Sequence, residues 1–127
     1  MNSLYLDGVF DSDCDQYLLC ETDTDRNKGM KKASGANVRV TGVLQKTVSG
    51  ATSGVPITES VQVQGVTWVM LASGETVANG DPLKAINSSG HAGKAAVSTD
   101  KVFGYSRQSG TGPCLISCYL DANSSYQ

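Results

Sequence analysis

The apolar residues of the chain fall in short runs with a period of two, broken by Gly, Pro, Ser and Asn, and this punctuation predicts strands and turns rather than helices. The clearest run is "CLISCYL", in which Cys114, Ile116, Cys118 and Leu120 share one face while Leu115, Ser117 and Tyr119 share the other. In "ESVQVQGVTWVML", Val61 and Val63 alternate with Gln62 and Gln64, but the large residues Val66, Trp68 and Met70 beyond Gly65 take the opposite phase. A bulge at or near Gly65 would reconcile the two registers and make Trp68 a core or subunit-interface anchor. Helical spacing is nearly absent: the pattern allows one short helical turn, over residues 75–78.

Residues 71–84, "LASGETVANGDPLK", carry two turn signals, and the second leads into a strand that starts at Pro82, where a missing N–H costs no ladder bond. This segment joins two halves with related punctuation. Leu19 and Leu83, like Gly29 and Gly93, stand 64 apart (83 − 19, 93 − 29). Val40 and Val102, and Gly42 and Gly104, stand 62 apart (102 − 40, 104 − 42), and Pro56 and Pro113 stand 57 apart (113 − 56). Each half reads as a strand, a Gly turn, a second strand, a V-x-G strand, a Ser/Gly-rich loop and a Pro-led closing strand. The expected fold is therefore all-β: a single domain over residues 14–120, built from two related β units at about 16–64 and 80–120, with an N-terminal arm. Residues 1–13 hold the apolar Leu4, Tyr5, Leu6, Val9 and Phe10, and are either an arm that adds a strand to a neighbour's sheet edge or the first strand of the domain itself. Residues 121–127 read as a polar tail.

Composition narrows the function. Hydrophobic residues at 39% and charged residues at 17%, with 14 Gly, suit a single turn-rich β domain. Ten Lys+Arg are offset by twelve Asp+Glu and scattered along the chain, which argues against nucleic acid as a partner. No apolar run approaches the ~20 residues that cross a bilayer, and residues 1–20 lack the pattern of a secretory signal, so no membrane partner and a cytosolic start are expected. Cys14, Cys20, Cys114 and Cys118 lack the C-x2-C spacing of common zinc knuckles and are expected to be reduced, as small hydrophobes. Cys114 and Cys118 would lie about 13 Å apart along one strand, too far to bond to each other, which leaves a bridge from Cys14 or Cys20 to the C-terminal strand as the alternative redox state.

Candidate chemistry is sparse. Nucleophilic catalysis through Ser or Cys would depend on one histidine, His91, which sits in the turn "NSSGHAGKA". The acidic "DSDCD", with Asp11, Asp13 and Asp15, alternates like a calcium loop but lacks its glycine and its bidentate glutamate, so a solvated acidic loop is expected. No catalytic residue, metal site or cofactor follows. The strings "GETVANGDPL" and "STDKV" resemble the turn and modified-lysine hairpin of lipoyl and biotinyl carrier domains, with Lys101 as the modified residue. Lys101 lies 18 residues past Leu83 (101 − 83) with a Gly turn between, which departs from that family's spacing.

Taken in order, "VTGVLQKTVSG", "VQVQGVTWVMLASGETVANGDPLKAINSSGHAGKA", "KVFGYSRQSGTG" and "CLISCYL" resemble the capsid cement, or head decoration, proteins of tailed bacteriophages over about residues 14–120. The extra cysteines and the Ser/Thr-rich loop of residues 47–58 depart from that pattern. The resemblance implies a compact, commonly trimeric β-barrel or β-tulip-like domain that sits on the outer surface of an icosahedral shell and resists the pressure of packaged DNA. It implies the major capsid protein and further copies of this chain as partners, a virion location after synthesis in the host bacterial cytoplasm, and no enzymatic activity. The interface candidates are Leu4, Tyr5, Leu6, Val9, Phe10 and Trp68. The alternatives are a host- or glycan-binding head-fibre or tip domain, with Tyr105, Tyr119 and Tyr126 as a sugar platform, and the Lys101 carrier domain.

Overall fold

The computed structural model describes residues 3–121. Every regular element among them is a strand: β1 (Leu4–Phe10), β2 (Leu19–Thr22), β3 (Met30–Lys32), β4 (Gly42–Leu44), β5 (Ile57–Leu71), β6 (Thr76–Val77), β7 (Pro82–Ala85), β8 (Ala92–Lys94), β9 (Gly104–Ser106), β10 (Gly110–Thr111) and β11 (Cys114–Asp121). The all-β expectation holds. The helical turn expected over residues 75–78 is absent: there β6 pairs with β10, between turns in which Gly74 (φ 82°) and Gly80 (φ 92°) take the left-handed conformation.

The 15-residue β5 organises the molecule. Its C-terminal half belongs to a closed ring of five strands, β5-β11-β9-β7-β8, in which β8 returns to β5 by a parallel pair, Leu71↔Ala92. Val69, Leu71, Leu83, Ala92, Ile116 and Leu120 fill the interior of this barrel. The N-terminal half of β5 pairs with β1 and with β4, and the sheet continues through β2 to β3. A parallel bridge, Val9↔Gly29, then brings β1 back to the start of β3. This other ring, the first in chain order, encloses Phe10, Cys14, Cys20, Met30, Leu44 and Val61.

The two rings are built to one pattern. The pair Leu44↔Val61 of the first ring recurs as Ser106↔Cys118 of the barrel, at offsets of 62 (106 − 44) and 57 (118 − 61). Phe10↔Ile57 recurs as Leu71↔Cys114, at offsets of 61 (71 − 10) and 57 (114 − 57). Both rings also share one close approach. A Cβ on Gly42 would stand 2.5 Å from the Gln62 carbonyl oxygen, and one on Gly104 would strike the Tyr119 carbonyl oxygen, again at 62 (104 − 42) and 57 (119 − 62). Two expected correspondences move by a residue or two. The pairs Cys20↔Gly42 and Leu83↔Gly104 align Cys20, not Leu19, with Leu83. Cys20↔Lys32 and Leu83↔Lys94 then set Met30 over Ala92 and leave Gly29 without Gly93 as its counterpart.

β5 closes the first ring and opens the second, so β1 is the first ring's own opening strand. Residues 4–10 are therefore not an arm: they pair with β5 of the same chain from Leu4↔Gln64 to Phe10↔Ile57, and Phe10 is fully buried. The bulge expected near Gly65 lies two residues earlier, where Leu4 faces Gln64 and Tyr5 faces Gln62, so that Val63 has no β1 partner. It does not switch the buried phase. Thr67, Val69 and Leu71 point inward, as Val61 does, and Gly65 (φ 108°) supplies a conformation that L side chains resist.

Candidate functional site

Alternation along β5 and β11 decides which apolar groups reach the surface. Because Thr67, Val69 and Leu71 face the barrel interior, Val66 and Trp68 face out, and Trp68 is 45% exposed. On β11, Ile116, Cys118 and Leu120 face in, leaving Leu115 and Tyr119 outside. The ladder sets Tyr119 opposite Val66, Ser117 opposite Trp68 and Leu115 opposite Met70. Tyr119 in turn faces Tyr105 on β9, and Tyr105 faces Pro82 on β7. A row of apolar groups, Val66–Tyr119–Tyr105–Pro82, thus crosses four strands, with Trp68 and Leu115 beside it. Arg107 borders it and donates from Nη1 to Ser117 Oγ at 3.0 Å.

The equivalent row of the first ring is Tyr5–Gln62–Val43–Leu19. There Leu19 and Val43 are fully buried in the barrel's core cluster, so one ring's outer face is covered by the other within the chain. Gln62, also buried, is satisfied by donating from Nε2 to the Gln64 and Val66 carbonyls at 3.0 and 3.1 Å. On the barrel's own face Val66, Trp68, Leu115 and Tyr119 remain exposed among the described residues. Exposed apolar groups gathered on one face are a common feature of contact sites.

Of the six interface candidates, Leu4, Tyr5, Leu6 and Trp68 lie at the surface; Val9 is half-buried and Phe10 is interior. Trp68 is not a core residue of this chain, because its neighbours Thr67 and Val69 occupy the inward phase. Tyr5, 50% exposed, lies on the first ring, away from the four-strand row. Val66, Leu115 and Tyr119 join the surface instead. Their signal was already in the sequence: reading the small Thr67 as an inward residue keeps β5 in one phase throughout. Tyr105 and Tyr119 are cross-strand neighbours, as a sugar platform would need, while Tyr126 lies outside the described residues.

The remaining candidates carry structural duties. His91 is half-buried in a turn, its Nδ1 3.4 Å from Asn87 Nδ2. Asp13 accepts the Gly50 N–H at 2.8 Å, and Asp23 accepts the Asp25 N–H at 3.1 Å. Among the described residues no group of three His, Cys, Asp or Glu side chains converges as a metal site would require. Lys101 is not on a hairpin tip, because β8 and β9 both pair with β7 and not with each other. The loop between them is pinned by Asp100, whose carboxylate accepts the Ala96 and Val97 N–H groups at 2.7 and 3.1 Å and pairs with Lys84 Nζ at 3.0 Å. The Ala96 N–H, then Lys84 and Val97, hold that carboxyl down to about 2.

All four cysteines are free thiols. Cys14 and Cys20 face each other in the first ring, and Cys114 and Cys118 lie on the barrel, so the pairing across the chain considered from sequence does not arise.

A groove of about 450 Å³ opens at the first ring's mouth, lined by Leu6, Met30, Thr22, Asp23, Arg26 and Lys28, with acidic and basic groups intermixed. Arg26 spans from it to the Ser53 carbonyl, at 2.8 Å.

No protein-family model matches the chain. No curated protein sequence matches it either. Among solved structures it is similar to the head fiber gp8.5 N base of bacteriophage phi29, with a TM-score of 0.73 and 16% sequence identity over 99% of each chain. At that identity the likeness is one of fold, and it extends over the whole double-ring architecture.

Proposed function

We propose that the chain is a non-enzymatic structural protein of a phage head: a cement that binds the outer surface of the shell as an oligomer, a trimer by its family resemblance, and stabilises the shell against internal DNA pressure. The observation that carries this reading is the cluster of exposed apolar groups Val66, Trp68, Leu115 and Tyr119 on the outer face of the closed barrel. Shared fold with a phage head-fibre base supports a place on the head. The barrel face around Trp68 takes a second copy, as aromatic anchors in desolvated patches do, and the exposed Leu4, Tyr5 and Leu6 of β1 meet the major capsid protein.

The mechanism is linkage without reaction. A protein that binds several capsomers at once favours the joined state by the free energy of its own binding, and an oligomer multiplies this through effective concentration. Neither nucleic acid nor membrane enters this scheme.

A second reading, that the barrel is the base from which a host- or glycan-binding fibre projects, is favoured by the structural neighbour being a head-fibre base. One experiment separates the two. Purified protein is mixed with heads of its own virus that lack it, and separately with host cells, and each mixture is sedimented. Saturable binding to heads together with tighter DNA retention supports cement; binding to heads with no effect on DNA retention supports a fibre base. Binding to neither heads nor cells overturns both.

A further inference from the structure

We infer that Cys14 and Cys20 form a peroxide-responsive dithiol, a site of reversible oxidation built into the interior of the first ring. The two sulfurs lie 4.0 Å apart, and the residues are 3% and 0% exposed. Both backbones are fixed independently. Cys14 exchanges hydrogen bonds with Val48 in both directions (3.1 and 2.8 Å), and Cys20 is paired on one side with Lys32 and on the other with Gly42. Their approach therefore follows from the fold, not from closeness in sequence alone, and a bonded pair needs the sulfurs to close to about 2.05 Å.

The environment separates the roles of the two thiols. Cys20, fully interior, is pushed up by its hydrogen bond to Cys14 and by burial, so it keeps its proton. Cys14 is pulled down by that same hydrogen bond, opposed by burial and helped by the Lys32 ammonium. It also stands outside the regular strands, held by the Val48 bridge alone. Hydrogen peroxide, small and uncharged, is the matching oxidant. The Cys14 thiolate attacks one peroxide oxygen, the O–O bond breaks, and hydroxide leaves, giving a sulfenic acid. Cys20 then attacks the Cys14 sulfur. The S–O bond breaks as S–S forms, and the Cys20 proton leaves with the oxygen as water. The sum is two thiols and one peroxide giving one disulfide and two waters, and a thiol reductant reverses it. The remaining cysteines are poorly placed for this. Burial pushes Cys118 up to about 12, and Cys114 has no thiol partner among the described residues.

The disulfide would tie the segment preceding β2 to β2 itself, beneath Phe10, and so fasten the half of the molecule that carries β1. This inference does not depend on the function proposed above.

The test uses the full chain carrying Cys114→Ser, which removes the most accessible competing thiol. Folded protein is treated with hydrogen peroxide, denatured, and its thiols are counted and mapped by mass. The expected result is loss of two thiols and a peptide joining Cys14 to Cys20, formed roughly tenfold or more faster than in the urea-unfolded chain. A further Cys20→Ser change should abolish the link and leave Cys14 trappable as a sulfenic acid by dimedone. If that variant fails to fold, Cys14→Ala must abolish the link and leave Cys20 unlabelled. An absent link, or one formed no faster in the folded than in the unfolded chain, overturns the inference.

Discussion

Phe10→Ala is the sharpest probe of the architecture, because it asks whether β1 is a strand of the domain or an appendage. Phe10 is fully buried in a cluster with Cys14, Cys20, Met30, Leu44 and Val61, and its backbone lies opposite Ile57 at the end of the β1–β5 ladder. Removing the ring forfeits about 1.5–3 kcal/mol of apolar transfer, and the cavity left beneath a rigid strand brings the total to about 3–5 kcal/mol. A domain of this size is stable by about 5–15 kcal/mol, so the change consumes a large share of that margin. At roughly 2–5 °C per kcal/mol the midpoint should fall by roughly 6–25 °C. Thermal and urea unfolding, followed by far-ultraviolet circular dichroism, read this directly. Tyr5→Ala is the internal control: on the same strand but half exposed, it should cost no more than ~1 kcal/mol. A Phe10→Ala midpoint within ~2 °C of wild type would refute the reasoning, as would a chain lacking residues 1–10 that melts like the full-length protein.

Trp68 emission should be that of a partly exposed indole in dilute protein and shift to the blue on self-association, whereas Trp68→Ala should leave the melting point nearly unchanged (within ~1 kcal/mol) while weakening the oligomer in sedimentation. Gly42→Ala and Gly104→Ala should each destabilise by ~1–3 kcal/mol in chemical unfolding, because each new methyl meets a carbonyl on a neighbouring strand; one variant being neutral would contradict the equivalence of the rings. Asp100 titrates at about 2 in the folded chain against an ordinary 3.8, so its stabilisation is complete above pH 3.8 and is lost as pH falls toward 2. Asp100→Asn should therefore lower the melting point at neutral pH and narrow its gap to wild type through that acid window; a gap independent of pH would rule the pairing out.

Strand type and the related pairing of the two rings were legible because alternation and Gly/Pro punctuation are local signals. "CLISCYL" alone fixed both faces of β11, and the V-x-G repeat placed Gly42 and Gly104 on the same structural feature. The identity of β1 was not legible, since its partner lies some fifty residues away on β5 and no local signal distinguishes an arm from a strand. For Trp68, expected as a core or subunit-interface anchor, only the core alternative fails, for a related reason. A run of large apolar residues suggests a core, yet in a closed barrel the inward positions go to whichever phase fits, here the smaller Thr67 with Val69 and Leu71. The dithiol was hidden because Cys14 reaches Cys20 only through the pairing of a loop residue with Val48.

The central claim is that binding, with no reaction, strengthens a phage head. It is tested most directly by heating DNA-filled heads of the protein's own virus, stripped of it and then replenished, and following DNA release with an intercalating dye. Replenished heads should release DNA at a higher temperature than stripped ones, saturably with added protein, and Trp68→Ala protein should restore this only in part. Equal release temperatures, with the protein shown to be bound, would contradict the account.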